Sequence, residues 1–355
     1  MGNSTRKRWF ATLALGAAAL CSLAGAPAAI GAGGVLSHPV SQNPEAVLDY
    51  WTPERMRGAT PLEGPVSEEG IADRGARPAA APTDQETFPG ADTLYPQRLH
   101  GKLFLRIGGV NASCSATLVT AFGQAVILTA GHCLANPGPQ IGQVTYSTNL
   151  VFVPGYRSGV APFGVFPATK AITPGPWAFE GDISLDVGAA SLGPNPSGVP
   201  ATALGSRGVT FNRPPNKYRR LSFEVYGYPA NPVEFYDGER LILCVAPSIG
   251  FEVGTGSPGI SPCRQQEGSS GGAWVFDGGL VASIISHGGC RVPSTACTII
   301  AGTYFGDAAF QAWATAAGGV PRGVKKRIKR CKRIKKDGKR QRCKNKAQTF
   351  QPVGA

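Results

Sequence analysis

From Leu99 onward the chain is written in short runs of apolar and β-branched residues, each cut off by Gly, Pro or Asn. Residues 103–107, 115–120, 125–129, 151–153, 221–226, 240–245, 273–276 and 280–285 all read as strands. Many short strands with little helix between them demand an all-β sandwich or barrel. Phe310, Trp313 and Ala317 recur at helical spacing and predict one helix near the end. With 42% hydrophobic and 16% charged residues, the chain can bury a real core, which sets it apart from disordered sequences.

Two stretches interrupt this texture with chemistry. Gly268-Ser269-Ser270-Gly271-Gly272 places a serine between glycines just ahead of the apolar run 273–276. A serine hydroxyl attacks a carbonyl only when a base takes its proton and nearby N–H donors stabilise the oxyanion. Glycines let the backbone approach closely enough to supply those donors. The histidines are His38, His100, His132 and His287. His132 ends the run Val126-Ile127-Leu128-Thr129-Ala130-Gly131, where a small-residue turn presents an imidazole at a strand end.

Thr129-Ala130-Gly131-His132-Cys133 together with Gly268-Ser269-Ser270-Gly271-Gly272 resembles the trypsin-like, chymotrypsin-fold serine proteases over roughly residues 98 to 318. Cys114-Ser115-Ala116-Thr117-Leu118, Gly227-Tyr228-Pro229 and a cysteine seven residues before Ser270 resemble the secreted bacterial branch that includes the glutamyl endopeptidases. The resemblance implies two packed six-stranded antiparallel β-barrels closed by a short C-terminal helix. It also implies a serine endopeptidase in which His132 is the base, Ser270 the nucleophile, and the N–H groups of Gly268 and Ser270 the oxyanion hole. A third group, a buried carboxylate, must hold the imidazole. Asp182 is the expected one, because Gly181-Asp182-Ile183-Ser184-Leu185 opens a run of alternating apolar and small residues as the family motif does; Asp186 is the alternative. No metal or organic cofactor is required for this chemistry.

Gly268, Ser270 and Gly272 also satisfy the G-x-S-x-G elbow of α/β-hydrolases. That fold runs serine, acid, histidine with a strand-turn-helix at the serine. Here His287 follows Ser270 too closely and the residues after the serine read as strand, so that fold is rejected. One departure from the trypsin pattern is Ser269, which stands where those enzymes carry an aspartate that pairs with a freshly cut amino terminus. Ser286-His287-Gly288 falls where the family pairs with substrate backbone and walls its primary pocket. A histidine there favours acidic side chains in glutamyl endopeptidases, but theirs stands two residues earlier, where this chain has Ile285, and Arg264 is the other candidate for the pocket floor.

The flanks differ from this middle. Arg6-Lys7-Arg8, an apolar run to Leu23 and Ala26-Pro27-Ala28 read as a secretory signal peptide over residues 1–28, which predicts an exported protein. Nine cysteines less Cys21 leave eight, an even number whose expected use in an exported protein is disulfides. The family pattern implies Cys114 with Cys133 and Cys244 with Cys263. The remainder would be Cys290 with Cys297 and Cys331 with Cys343, against a competing set of Cys263 with Cys290 and Cys244 with Cys297. Residues 29–92, rich in Ala, Pro, Gly and Glu, read as a pro-segment. Within it Tyr50-Trp51-Thr52-Pro53-Glu54-Arg55-Met56 resembles a segment that precedes the protease domain in related actinobacterial enzymes. The protease domain is expected over 93–318 and a basic, cysteine-containing tail over 319–355.

Between Arg322 and Lys346 there are fifteen Lys or Arg and one Asp, a net charge of +14 against +13 for the whole chain. The excess positive charge therefore lies in the tail. Anionic cell-wall polymer or a membrane surface is its expected partner, rather than a specific nucleic acid. Protein or peptide is the expected substrate, and a monomer the expected state. The alternative function is a catalytically inactive protease-like scaffold that binds envelope polyanions through this tail.

Overall fold

The computed structural model describes residues 29–30, 34–40, 42–66, 84–86, 91–290 and 297–354. The signal-peptide stretch, with Cys21, lies outside the described residues. The first six barrel strands are β1 His100–Ile107, β2 Val110–Val119, β3 Ala125–Thr129, β4 Thr148–Pro154, β5 Phe166–Pro174 and β6 Gly188–Leu192. They pair antiparallel in the order β5-β4-β1-β2-β3-β6, and β6 closes back on β5. Ser222–Gly227, Ile242–Phe251, Pro258–Ile260, Ala273–Phe276, Leu280–Gly288 and Ile300–Gly302 are β7 to β12. Their order is β10-β7-β8-β9-β12-β11, closed by β10 against β11. Closure leaves neither barrel with an open edge.

Both expected barrels are therefore present, but four of their strands carry no strong sequence signal. β5 contains Pro167 and Pro174, β6 is built of small residues, and β9 and β12 are three residues each. Their strand geometry comes from the ladders on either side. In β1, Leu103, Phe104 and Leu105 are all fully buried, so the outer face of the barrel is covered as well as the inner one. Much of that cover is the N-terminal segment.

Val35–Pro39 adds a strand to β5, with Leu36 opposite Thr173 and Pro39 opposite Lys170. The helix Pro44–Tyr50 follows, capped by Asn43, whose side chain accepts from the Glu45 amide. At its end Trp51 packs on Phe104 and its indole N–H donates to the Asn149 carbonyl. The Tyr50 hydroxyl bonds Asn111 at 2.6 Å. These contacts fasten residues 35–57 along the first barrel.

The basic C-terminal region folds as well. After the helix Asp307–Ala316 come Arg322–Lys332 and Asp337–Ala347, a helical hairpin joined by the disulfide Cys331–Cys343. Val324 and Ala347 are buried beneath it, and Lys344 reaches Asp307 at 2.6 Å. Thr349–Phe350 then pairs with Gly208–Thr210, the short strand that runs beside β11. Phe350 stacks on Trp313 with ring centroids 4.5 Å apart. An aromatic anchor therefore offsets the self-repulsion of the hairpin. Truncating it, Phe350→Ala, is expected to cost about 3 kcal/mol and to release the hairpin. Limited tryptic digestion then cuts the tail of the variant well before that of the wild type; equal cutting rates would refute the anchor.

Candidate active site

The ladders place the chemistry at the junction of the barrels. β3 ends at Thr129 and the next turn, Gly131–Cys133, carries His132. β6 pairs with β3 with Gly188 opposite Thr129, which brings the residues just before β6 to the same end. Asp186 is one of them. Its Oδ2 lies 2.9 Å from His132 Nδ1 and its Oδ1 accepts the His132 amide at 2.8 Å. Both side chains are buried, Asp186 completely.

This corrects the expectation for Asp182. That residue is exposed and caps the turn Ile183–Leu185, its carboxylate accepting from the Ser184 amide at 3.0 Å and the Ser184 hydroxyl at 2.6 Å. The one-turn helix between the two aspartates carries the chain past the cap, so that the second aspartate, not the first, enters the interior. The sequence signal was the start of the buried run Gly188–Leu192, two residues after Asp186.

Asp186 is held as an anion against its burial. Desolvation pushes its carboxyl up, but the His132 charge, the His132 ring N–H, the Ser286 hydroxyl and the His132 amide together bring it below the ordinary carboxylate range. Ser286 Oγ donates to Asp186 Oδ2 at 2.6 Å, and Thr303 Oγ1 bonds the Asp186 carbonyl at 2.6 Å. The second barrel thereby grips a residue of the first. On its far side the imidazole has Nε2 buried and without a hydrogen-bond partner. Trp177 lies edge-on to the ring at 6.3 Å, its own N–H spent on the Ala135 carbonyl. It walls the ring from water, a role that nothing in the sequence marked.

Ser270 approaches from β10. Its carbonyl accepts from the Ser115 amide at 2.8 Å and lies 4.0 Å from Cys133 Sγ, one residue from His132. Gly271 has φ +83, and a Cβ there would lie 2.2 Å from Thr129 Oγ1 and 2.3 Å from the Ser115 carbonyl. Only glycine lets the serine turn come this close to the histidine strand. Ser269 is buried, and its hydroxyl donates to the Gln266 carbonyl.

Ser270, Gln265, Gln266, Ile285, Ser286 and Gly288 line a cleft of about 220 Å³. The fourth wall is the N-terminal segment, residues 63–66. Thr60–Pro61 pairs in parallel with Ala112 and Ser113 of β2, and the Leu62 amide donates to the Ser113 carbonyl. The Gly268 amide donates to the Leu62 carbonyl at 3.0 Å. Gly64 passes so close that a Cβ would sit 2.2 Å from the Ser286 carbonyl.

The specificity candidates divide. Ser286 and Gly288 face the cleft, and His287 contributes to its wall while its imidazole, fully buried, turns to Glu252. Arg264 does not reach this cleft, which corrects its expected place at the pocket floor. Its amide bonds Asp84 and its guanidinium lies over Phe235 at 4.6 Å, in a separate pocket with Tyr236 and Arg240. All four disulfides join the expected partners, Cys114–Cys133, Cys244–Cys263, Cys290–Cys297 and Cys331–Cys343, and not the competing set. Among the described residues, the two places where metal-ligating atoms gather are built on disulfide sulfurs, which have no thiolate to offer.

No family model and no curated protein sequence matches the chain. Solved structures do. The chain is similar to the protease Anisep from Arthrobacter nicotinovorans, with 31% identity and a TM-score of 0.56, covering 66% of this chain and 100% of that one. It is similar to the thermostable serine protease AL20 from an extremophilic microorganism, with 30% identity and a TM-score of 0.54, covering 62% of this chain and 97% of that one. A Glu endopeptidase in complex with MPD shares the fold at 18% identity and a TM-score of 0.50, over 67% of this chain and 98% of that one. Two closed six-stranded barrels, and likeness over 100% and 97% of the lengths of two solved proteases, mean that the chain belongs to the bacterial trypsin-like serine proteases of the chymotrypsin fold.

Proposed function

We propose that this protease is an exported endopeptidase that cuts peptide bonds through an acyl-enzyme, with Ser270 as nucleophile, His132 as base and Asp186 as the group that orients it. The observation that carries the reading is the buried imidazole of His132, bonded on one side to Asp186 and left open on the other beside the Ser270 turn. Ser270 Oγ gives its proton to His132 Nε2 as it attacks, and the imidazolium passes that proton to the leaving amine. Asp186 fixes the tautomer with Nδ1 protonated and stabilises the imidazolium. The N–H groups of Gly268 and Ser270 receive the oxyanion. Four disulfides and the basic, apolar leader support an oxidising compartment outside the cell.

Residues 29–92 act as a pro-segment that shuts the cleft. The Leu62 carbonyl takes up the Gly268 amide, one of the donors that catalysis needs, while Gly64 covers the Ser286 carbonyl, so peptide substrate enters only after the segment leaves. The basic hairpin serves as an electrostatic anchor to anionic wall polymer or membrane surface. Its Lys and Arg side chains are exposed apart from Arg340 and Lys344, which are half-covered.

Ser270→Ala and His132→Ala abolish labelling by a fluorophosphonate probe. Asp186→Asn lowers kcat on the order of 10⁴-fold, whereas Asp182→Asn stays within about two-fold, as exposed changes do; the reverse ranking would return the orienting role to Asp182. Gly64→Ala forces the segment off the Ser286 carbonyl, and the uncleaved full chain then labels faster than uncleaved wild type. Equal labelling rates would show that the segment does not control access. Binding to isolated cell walls falls steeply with added salt if the hairpin is the anchor, and persists unchanged if it is not.

A further inference from the structure

The hydrogen-bond line that ends at Asp186 does not begin at Ser286. His287 Nδ1 lies 3.0 Å from Ser286 Oγ, and His287 Nε2 lies 3.4 Å from Glu252 Oε2. The side chains of His287 and Glu252 are both 0% exposed. Glu252 follows β8, in a loop closed by its own amide on the Ser257 carbonyl, and its carboxylate also accepts from the Thr255 hydroxyl. None of these groups touches the reacting atoms.

Proton counting gives the line a direction. A carboxylate only accepts, and Asp186 takes both the His132 N–H and the Ser286 O–H. The one hydroxyl proton of Ser286 is then committed, so Ser286 Oγ meets His287 Nδ1 as an acceptor and Nδ1 carries a proton. The other nitrogen, Nε2, lies 3.4 Å from the Glu252 carboxylate and makes no hydrogen bond. His287 thus directs a ring N–H at the Ser286 oxygen, and Glu252 flanks the far edge of that ring.

We propose that His287 is a positioning residue for the protease reaction: its ring N–H holds the Ser286 oxygen as an acceptor and so aims the Ser286 hydroxyl at Asp186, with Glu252 flanking the ring. This rests on Asp186 and His132 acting as proposed above. The other charged groups around the line are Asp186 and His132 themselves from the first barrel, Glu63 from the N-terminal segment and Glu267 on the cleft rim. Glu63 is exposed, and Glu267 is half-exposed and bonded to Asn231, so water screens both.

The test is kcat for the enzyme recovered after the full chain has been expressed and has shed its N-terminal segment, per active site counted by fluorophosphonate, in wild type, His287→Phe, His287→Asn, Ser286→Ala and the double variant. His287→Phe frees Ser286 and is expected to lower kcat about ten-fold. His287→Asn, whose amide sits where Nδ1 was, restores kcat. Ser286→Ala lowers kcat by itself, and adding His287→Phe to it costs nothing further, because the two residues act through one hydroxyl. A merely structural role would lower thermal stability, give no recovery in His287→Asn and add to the Ser286→Ala loss. An unchanged kcat in His287→Phe, or additive losses in the double variant, overturns the proposal; should His287→Phe not fold, His287→Leu takes its place. If processed wild type neither labels nor hydrolyses, the catalytic reading falls and takes this one with it; an active wild type with unaffected variants sinks the His287–Ser286 line alone.

Discussion

The structure turns on one buried charge. Asp186 has no access to water, and an ionised carboxylate is costly there unless donors replace its hydration. Three do so: the ring and the amide of His132 from its own barrel, and the Ser286 hydroxyl from the other. The requirement is structural before it is chemical. Satisfying the carboxylate forces the end of β3, the approach to β6 and the end of β11 to one point, and Ser286 at that point also lines the cleft. A carboxylate so held keeps the histidine beside it in one orientation.

Around that point the rest of the chain is arranged as cover. The N-terminal segment adds a strand to β5, seats Trp51 on the first barrel and then crosses the cleft at residues 60–66. Its carbonyl at Leu62 and its glycine at position 64 use backbone surfaces of the site, the Gly268 amide and the Ser286 carbonyl. Such contacts need no particular side chain. At the other end, the basic hairpin is held by one disulfide, a few polar bonds and the Phe350 ring on Trp313. Like charges repel within it, so its order depends on those few anchors.

Much of this was legible beforehand, and the failures have local causes. The all-β class, sandwich or barrel, followed from the strand texture, since turn residues and β-branched runs act over a few residues; the two barrels were implied by the family resemblance. His132 and Ser270 were legible because each needs a distinctive small-residue frame, as Gly271 shows where it meets Thr129 and Ser115. The strands β5, β6, β9 and β12 were not, because prolines, small residues or mere brevity erase the alternation and only ladder partners hold them extended. Arg264 was misplaced for a related reason: a side chain's direction from a loop depends on what it stacks upon, here Phe235.

The two aspartates mark the boundary between the two kinds of information. The sequence determined that two carboxylates, Asp182 and Asp186, stand in the stretch that the resemblance to the family marks as the place of the group orienting the histidine. Which one, only the tertiary structure decided. A single turn of helix, capped by Asp182 itself, rotates that residue into water and delivers Asp186 to the barrel junction. The same holds for Glu252, thirty-five positions before His287 and joined to it only by the closing of β8 and β11 into one barrel. Local preferences act through the chain and are written in it. Contacts between distant segments depend on how barrels close, and no short stretch of sequence carries that.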